Sequence, residues 1–438
     1  MNKETHEGIY DVKQLGAGKT IVLGLQHMFA MFGATVLVPL LTGLDVSTTL
    51  LFAGLGTLLF HLVTKGKVPA FLGSSFAFLG GYFAIAPILE DGSSNVEMIP
   101  YACFGVACAG LLYLVLAGLI KLYSAGKIMK FFPPIVTGPI IIAIGLTLSQ
   151  SAIDNCSSNW LIALVAIVAV IICNIFGKGM IKIVPILIGI MVSYIAAVLM
   201  GEVDFTAIAQ AKLLAPAPIT LPKFSIGACV SIVPIALATM MEHVGDVAAI
   251  SATTGKNYIN DPGLHRTLLG DGLATSLSSL CGGPANTTYG ENTGVLALSK
   301  VYDPKVVRLA AYFAIALSFC PKFAALIVAM PAATMGGVSL VLYGMISAVG
   351  VRNVVENQVD FTKSRNVLIA AMIMGLAVGV TYSGSILIPI GSVTISLSGL
   401  AVAALIGIFM NAVLPGKDYE FGANQQGDTS VNFGSRAK

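Results

Sequence analysis

Two stretches interrupt an otherwise apolar chain, and they read alike: Pro69-Ala70-Phe71-Leu72-Gly73-Ser74-Ser75-Phe76-Ala77 and Pro284-Ala285-Asn286-Thr287-Thr288-Tyr289-Gly290-Glu291. A Pro-Ala pair precedes each. Each then presents hydroxyl, hydroxyl, aromatic, small: Ser74-Ser75-Phe76-Ala77 and Thr287-Thr288-Tyr289-Gly290, 213 residues apart. Gly, Pro and hydroxyl residues interrupt a helix. The β-branched Thr287 and Thr288, with Ser74 and Ser75, suit short extended backbone better. Hydrocarbon offers no partner for a free N–H or C=O, so such backbone persists only against protein or a watery cavity. The two breaks are therefore expected to cross as a short antiparallel strand pair near the bilayer midplane. Free amides and half-helix N-termini would there point at a polar solute.

The surroundings of the breaks are membrane-like. Only 24 Lys+Arg and 21 Asp+Glu occur in 438 residues, a charged fraction of 10% against about 25% in an ordinary soluble domain. Hydrophobic residues make up 56%, and the mean hydropathy is +0.89. So few charges cannot keep a large surface wet, which argues against a soluble enzyme, a disordered chain and a nucleic-acid binder. Apolar helical cores read at 20–43, 47–64, 100–120, 131–150, 159–176, 182–200, 226–249, 264–281, 306–321, 323–331, 333–350, 367–383 and 392–413. Residues 323–350 read as one element bent at Pro331. Counted so, and with the broken segments 68–85 and 283–299, the chain has fourteen spans. Residues 1–19 are polar and lack the pattern of a cleaved signal peptide. The seven Cys lie singly, without CxxC or metal-ligand spacing, and read as packing residues.

Charge placement supports that count. With the N-terminus inside, every Lys and Arg except Lys212, Lys223 and Lys322 falls on an inside segment. The outside loops hold Asp45, Glu90, Asp91, Glu97, Asp154, Glu202 and Asp204 instead. Cytoplasmic loops collect Lys and Arg, so both termini are expected in the cytoplasm of a multi-pass plasma-membrane protein.

Two further pairs echo each other in the same order as the breaks. Gln26-His27 in the first span matches Glu242-His243 in the eighth, 216 residues on. Pro133-Pro134 and Thr137-Gly138 match Pro331 and Met335-Gly336, offset by 198. Three ordered matches point to a duplicated seven-span unit, inverted because seven is odd. Inverted repeats with equivalent broken helices mark secondary transporters.

Charge inside the membrane costs a few kcal/mol per group, and few positions accept it: Glu242, His243, Asp246, Asp271, Glu291 and His27. Glu242 and Asp246, four apart, share a helix face. Glu291 follows the second break directly. His27, His243 and Asp271 read as structural hydrogen-bonding residues. Glu242 and Glu291 read as functional, because two carboxyls beside a break suit a neutral ligand with several N–H donors. They also suit a group that exchanges a proton.

These residues resemble the nucleobase–ascorbate transporter family. The resemblance rests on Gln26-His27, Gly73-Ser74-Ser75-Phe76-Ala77-Phe78, Glu242-His243-Val244-Gly245-Asp246, Asp261-Pro262-Gly263-Leu264-His265-Arg266 and the run from Asn286 to Gly294. It covers about residues 15–415 and is nearest to bacterial uracil permeases. The family signature is met by Glu291-Asn292-Thr293-Gly294 and then Ser299-Lys300, with Ser299 where Thr is expected. The resemblance implies an all-α polytopic protein of two inverted seven-span repeats. It implies core parts at 20–125 and 226–321, gate parts at 126–225 and 322–415, and cytoplasmic ends at 1–19 and 416–438. It further implies a homodimer and proton-coupled uptake. By position, Glu242 and Glu291 are the substrate carboxyls. Phe76 and Gly290 donate backbone N–H groups to base carbonyls, and Tyr289 lines the pocket. Asp246 stands where the familiar uracil permeases have His and several purine carriers have Asp.

The reading that follows is a uracil:proton symporter in the lipid bilayer, driven by the proton gradient and needing no cofactor, metal or nucleic acid. Glu242 and Asp246 are the candidates for the coupled proton, with His243 in support. A xanthine or uric acid carrier remains the first alternative, because of Asp246. An anion transporter of similar architecture is the second, although two carboxyls at the break would repel an anion. The sequence carries no HExxH, GxSxG or GxxxxGK enzyme motif.

Overall fold

The protein is described by a computed structural model covering residues 8–89, 93–390, 393–417 and 419. Residues 1–7 of the N-terminal segment, Glu90, Asp91 and most of the expected 416–438 tail lie outside the described residues. The chain runs through α1 (Ala17–Thr42), α2 (Val46–Val63), β1 (Leu72–Ser74), a 3-10 turn (Phe76–Phe78) leading into α3 (Leu79–Ile85), α4 (Ile99–Tyr123), α5 (Ala125–Met129), α6 (Pro134–Ser157), α7 (Trp160–Phe176), α8 (Met180–Ile183), α9 (Pro185–Leu199) and α10 (Thr206–Gln210). It continues through α11 (Ile226–Ile232), a 3-10 turn (Val233–Ile235), α12 (Ala236–Thr254), α13 (Leu264–Leu280), β2 (Asn286–Thr288), α14 (Gly290–Ser299), α15 (Pro304–Ser318), α16 (Pro321–Val328), α17 (Ala332–Glu356), α18 (Ser364–Ser383), β3 (Ile386–Ile390), β4 (Val393–Leu397) and α19 (Gly399–Val413).

The sequence sets most helix starts. Asp45 accepts from Thr48 N at 2.7 Å and caps α2. Asn159, Ser225 and Asp303 do the same for α7, α11 and α15. Proline occupies the first helical position of α6, α9, α15 and α16, where a missing N–H costs nothing. Among the described residues, seven helices are long and apolar enough to cross a membrane: α1, α2, α4, α6, the joined α11–α12, α17 and α18. The outer faces of the bundle are apolar, with Leu122 at 77% and Leu199 at 83% exposure. A soluble protein does not display such patches so widely.

One element is refined by the structure and one differs from the sequence reading. The 323–350 region is broken at Pro331 as expected, since α16 ends at Val328 and α17 begins at Ala332. A further bend lies earlier, between α15 and α16, which meet at 86°. Cys320 leaves the helical region there (φ −111°, ψ 85°) because a residue before proline is pushed towards extended backbone. Pro331 sits extended at the start of α17 and makes the break between α16 and α17. The helix read at 392–413 begins late. Residues 393–397 form β4, paired antiparallel with β3 through Ile386↔Leu397, Ile388↔Ile395 and Ile390↔Val393. Val393-Thr394-Ile395-Ser396-Leu397 alternates apolar and hydroxyl residues and opens with three β-branched ones, a strand pattern masked by the apolar run around it. Ser398 then caps α19.

Helices approach closely where glycines remove side chains. A Cβ on Gly110 of α4 would lie 2.7 Å from Gly272 O of α13, and one on Gly272 would lie 2.8 Å from Gly110 O. On α6, a Cβ at Gly145 would strike Tyr343 O of α17. Lipid-embedded helices gain no water-driven attraction, so such backbone contact does the packing. At the N-terminus, Ile9 pairs in parallel with Val301. Tyr10 donates its hydroxyl to Thr254 O at 2.5 Å and lies under the Lys256 ammonium. This segment ties the ends of α12 and α14 together.

Candidate substrate site at the crossed breaks

β1 and β2 pair antiparallel through Leu72↔Thr288, Gly73↔Thr287 and Ser74↔Asn286. Two more backbone bonds flank them: Ser75 N to Ala285 O at 2.9 Å, and Tyr289 N to Phe71 O at 3.0 Å. These bonds exchange under the two-fold axis of the pair, so Ser75 matches Tyr289, and Phe76 matches Gly290. Helix hydroxyls satisfy the outer edges. Thr57 Oγ1 accepts from Leu72 N at 2.9 Å, and Thr275 Oγ1 donates to Asn286 O at 2.8 Å. Asn286 Nδ2 donates to Phe52 O at 3.1 Å. Helix side chains thus take up part of the outer edge of a two-stranded ribbon inside a helical protein.

Each strand feeds a helical segment that starts without a side-chain cap. The 3-10 turn opens at Phe76 after extended Ser75. α14 opens at Gly290 after extended Tyr289. The first N–H groups of such segments have no partner within the segment. Glu291 stands in the first turn of α14, where a carboxylate is favoured by the helix dipole. Gly290 is open, and a Cβ there would lie 3.6 Å from Asp246 Oδ1.

α12 brings the remaining acids to this point. Glu242 is half-buried within electrostatic reach of Glu291 and Asp271. Asp246 Oδ2 accepts from Thr288 Oγ1 at 2.9 Å, which ties α12 to β2. His243 faces the other way into the core. Its Nδ1 lies 3.4 Å from Thr288 Oγ1 and 3.1 Å from Asp271 Oδ2 of α13. The structure therefore gathers Glu242, Asp246, Gly290 and Glu291 around one end of the strand pair, with His243 one layer behind.

The two aromatics differ in their commitments. Tyr289 packs its ring over Gly73, where a Cβ would come within 2.6 Å of it. Its hydroxyl donates to Ser74 O at 2.8 Å and accepts from Thr35 Oγ1 at 3.4 Å. Tyr289 thus braces β1. Phe76 turns its ring edge-on to Tyr343 of α17, centroids 6.0 Å apart, and so touches the helix set that includes α6. His27 anchors α14 from α1, since Asn292 Nδ2 lies 3.0 Å from His27 O and 3.1 Å from His27 Nδ1. Among the described residues no group of three or more His, Cys, Asp or Glu could hold a metal ion.

The Permease family model matches residues 18–386. This chain belongs to that family, the nucleobase–ascorbate transporters. It is 42% identical to the uracil permease of Bacillus caldolyticus, covering 91% of this chain and 93% of that one. It is 38% identical to the uracil permease of Bacillus subtilis (94% of each chain) and to that of Escherichia coli K12 (90% and 91%). The transmembrane domain of the cyanobacterial bicarbonate transporter BicA shares the fold at TM-score 0.58 and 15% identity, over 90% of this chain and 97% of that one. The murine anion transporter Slc26a9 does so at 0.64 and 11%, over 92% and 69%. The transporter is thus a multi-pass membrane permease, not an enzyme.

Some of the transporter's site residues were not singled out by sequence reading. Thr288 is the bridge between Asp246 and His243, although only its extended backbone was anticipated. Thr35, Thr57 and Thr275 lie on distant helices and are common residue types, so no local signal marks them. Tyr343 carried a weak signal as an aromatic in a Gly-rich span.

Proposed function

We propose that this protein is a proton-coupled uracil carrier working by alternating access. The observation that carries the reading is that α12 brings Glu242 within electrostatic reach of Glu291 at the uncapped start of α14, while it also packs against the other uncapped start, at Phe76, across the strand pair. Uracil is flat and neutral, with two N–H donors and two C=O acceptors. Glu242 would accept from one ring N–H, and Glu291 from the other or through water. The Phe76 and Gly290 amides would meet the carbonyls. Glu242 and Asp246 are the candidates for the coupled proton, and His243 steadies them through Thr288. The uracil permeases of three bacteria, similar over nine-tenths of the chain, support the substrate.

The architecture that goes with this reading is fourteen spans in two inverted repeats. Its spans would be α1, α2, the broken 76–85 segment, α4, α6, α7, α9, α11–α12, α13, the broken α14, α15, α17, α18 and α19. The antiparallel pairing of β1 with β2, one from each half of the chain, supports the inversion. So does the recurrence of a short helix before the twin spans α6 and α17, namely α5 and α16. Core parts 20–125 and 226–321 would rock against gate parts 126–225 and 322–415, with both termini cytoplasmic and two copies forming a dimer.

The test is uptake of labelled uracil into proteoliposomes under an imposed pH gradient. Glu242→Gln and Glu291→Gln should each abolish uptake while the protein still reaches the membrane. Wild-type uptake in either variant overturns the assignment. Asp246 favours a purine carrier as the second reading. Unlabelled xanthine or uric acid outcompeting uracil would establish it.

A further inference from the structure

A cavity of about 240 Å³ opens where α6 and α18 begin and α19 ends. Lys130, Arg365, Asn411, Lys417 and Tyr419 are among its lining residues, and no described lining residue is acidic. Arg365 is half-buried, and every partner of its guanidinium is a neutral oxygen. Nε faces Leu414 O at 3.5 Å, one terminal nitrogen donates to Asn366 Oδ1 at 3.1 Å, and the other to Asn411 O and Oδ1 at 3.2 and 2.7 Å. Lys417 Nζ donates to Ala412 O at 2.7 Å. Asn411 Nδ2 donates to Lys130 O at 3.3 Å and so joins α19 to the turn before α6. Capping the end of α19 explains the position of Arg365. Among the described residues it leaves Arg365 without a carboxylate partner beside two further cations, and one guanidinium N–H of five without an acceptor.

We propose that this cavity binds the phosphodiester headgroup of an anionic phospholipid. The ends of three helices place it at headgroup depth. Exposed Phe131 and Val413 lie beside the lining residues, offering apolar surface for the acyl chains. A phosphate oxygen can take the spare guanidinium N–H, and the lysine ammoniums supply the remaining charge. A free phosphate ion offers the same oxygens but no chains for the apolar rim.

The experiment is thermal unfolding of the purified full chain in neutral detergent, with short-chain phosphatidylglycerol, short-chain phosphatidylcholine or sodium phosphate at equal concentration. A ligand of the folded state raises its stability. Phosphatidylglycerol should raise the midpoint by a few degrees and the other two should not. The double variant Lys130→Gln with Lys417→Gln should lose most of that rise. Size-exclusion elution matching wild type shows that it has folded, and Lys417→Gln alone serves if it has not. An equal rise with phosphatidylcholine, or a full rise in the variant, overturns the site. An equal rise with phosphate assigns it to the free anion and overturns the lipid.

Discussion

His243 Nδ1 lies 3.1 Å from Asp271 Oδ2, and both side chains are sealed from solvent. The contact joins α12, which carries Glu242 and Asp246, to α13, which packs on α4 through Gly272. The acids of the site are therefore mounted on the rigid part of the bundle through a buried polar pair. Leaving one member of a buried polar pair without its partner typically costs about 1–3 kcal/mol. Asp271→Ala should lower the unfolding midpoint in detergent and reduce uracil uptake more than tenfold. Unchanged melting and uptake would show that the pair holds nothing in place.

Tyr289 makes a bond that phenylalanine cannot. In Tyr289→Phe, the Ser74 carbonyl loses its 2.8 Å donor in a buried setting. Leaving a buried acceptor unpaired costs about 1–3 kcal/mol. The ring still covers Gly73, so the fold should persist with a lower midpoint. The expected kinetic sign is a several-fold rise in KM for uracil with a smaller change in maximal rate, because β1 positions the Phe76 amide.

Thr288 and Thr287 are neighbours with opposite duties. Thr288 donates to Asp246, whereas the buried Thr287 hydroxyl has no partner among the described residues. A hydrogen bond to a carboxyl favours its ionised form, because the carboxylate is the stronger acceptor. Thr288→Val should therefore alter the pH profile of uptake and cut the rate about tenfold. Thr287→Val should leave the profile as it is. Identical profiles in the two variants would remove Asp246 from proton coupling.

Backbone contact between helices sets a steric prediction. Any side chain at Gly145 would strike Tyr343 O, and Ser347 of the same helix is in the way as well. Gly145→Leu should prevent accumulation of folded protein, measured by size-exclusion fluorescence. Gly344, with nothing within 4 Å of a Cβ, should tolerate alanine.

Much of the molecule was legible in the chain because a membrane imposes simple constraints. Hydrocarbon forces long apolar helices, and α1, α2 and α4 were readable from hydropathy to within a few residues. The errors came where hydropathy says little about conformation. β4 lies inside an apolar run read as a helix, and its pairing with β3 leaves no mark on hydropathy.

The site divides along similar lines. Glu242, Asp246 and Glu291 stood out because charge in an apolar run demands a reason. The hydroxyls of Thr35, Thr57, Thr275 and Thr288 did not, since they become specific only when another helix presents a matching backbone group.

By itself, the order of residues determined that this is a multi-pass membrane protein, broken at two places and keeping acids beside one break. Those outcomes follow from local cost: an unpaired amide or a carboxyl in oil is expensive wherever the rest of the chain lies. Only the tertiary structure decided that Thr288 bridges Asp246 and His243, that His243 meets Asp271, and that Tyr289 clasps the opposite strand. Those contacts join residues up to 215 positions apart. Their geometry depends on how glycine-lined helices settle against one another, and no single segment carries that information.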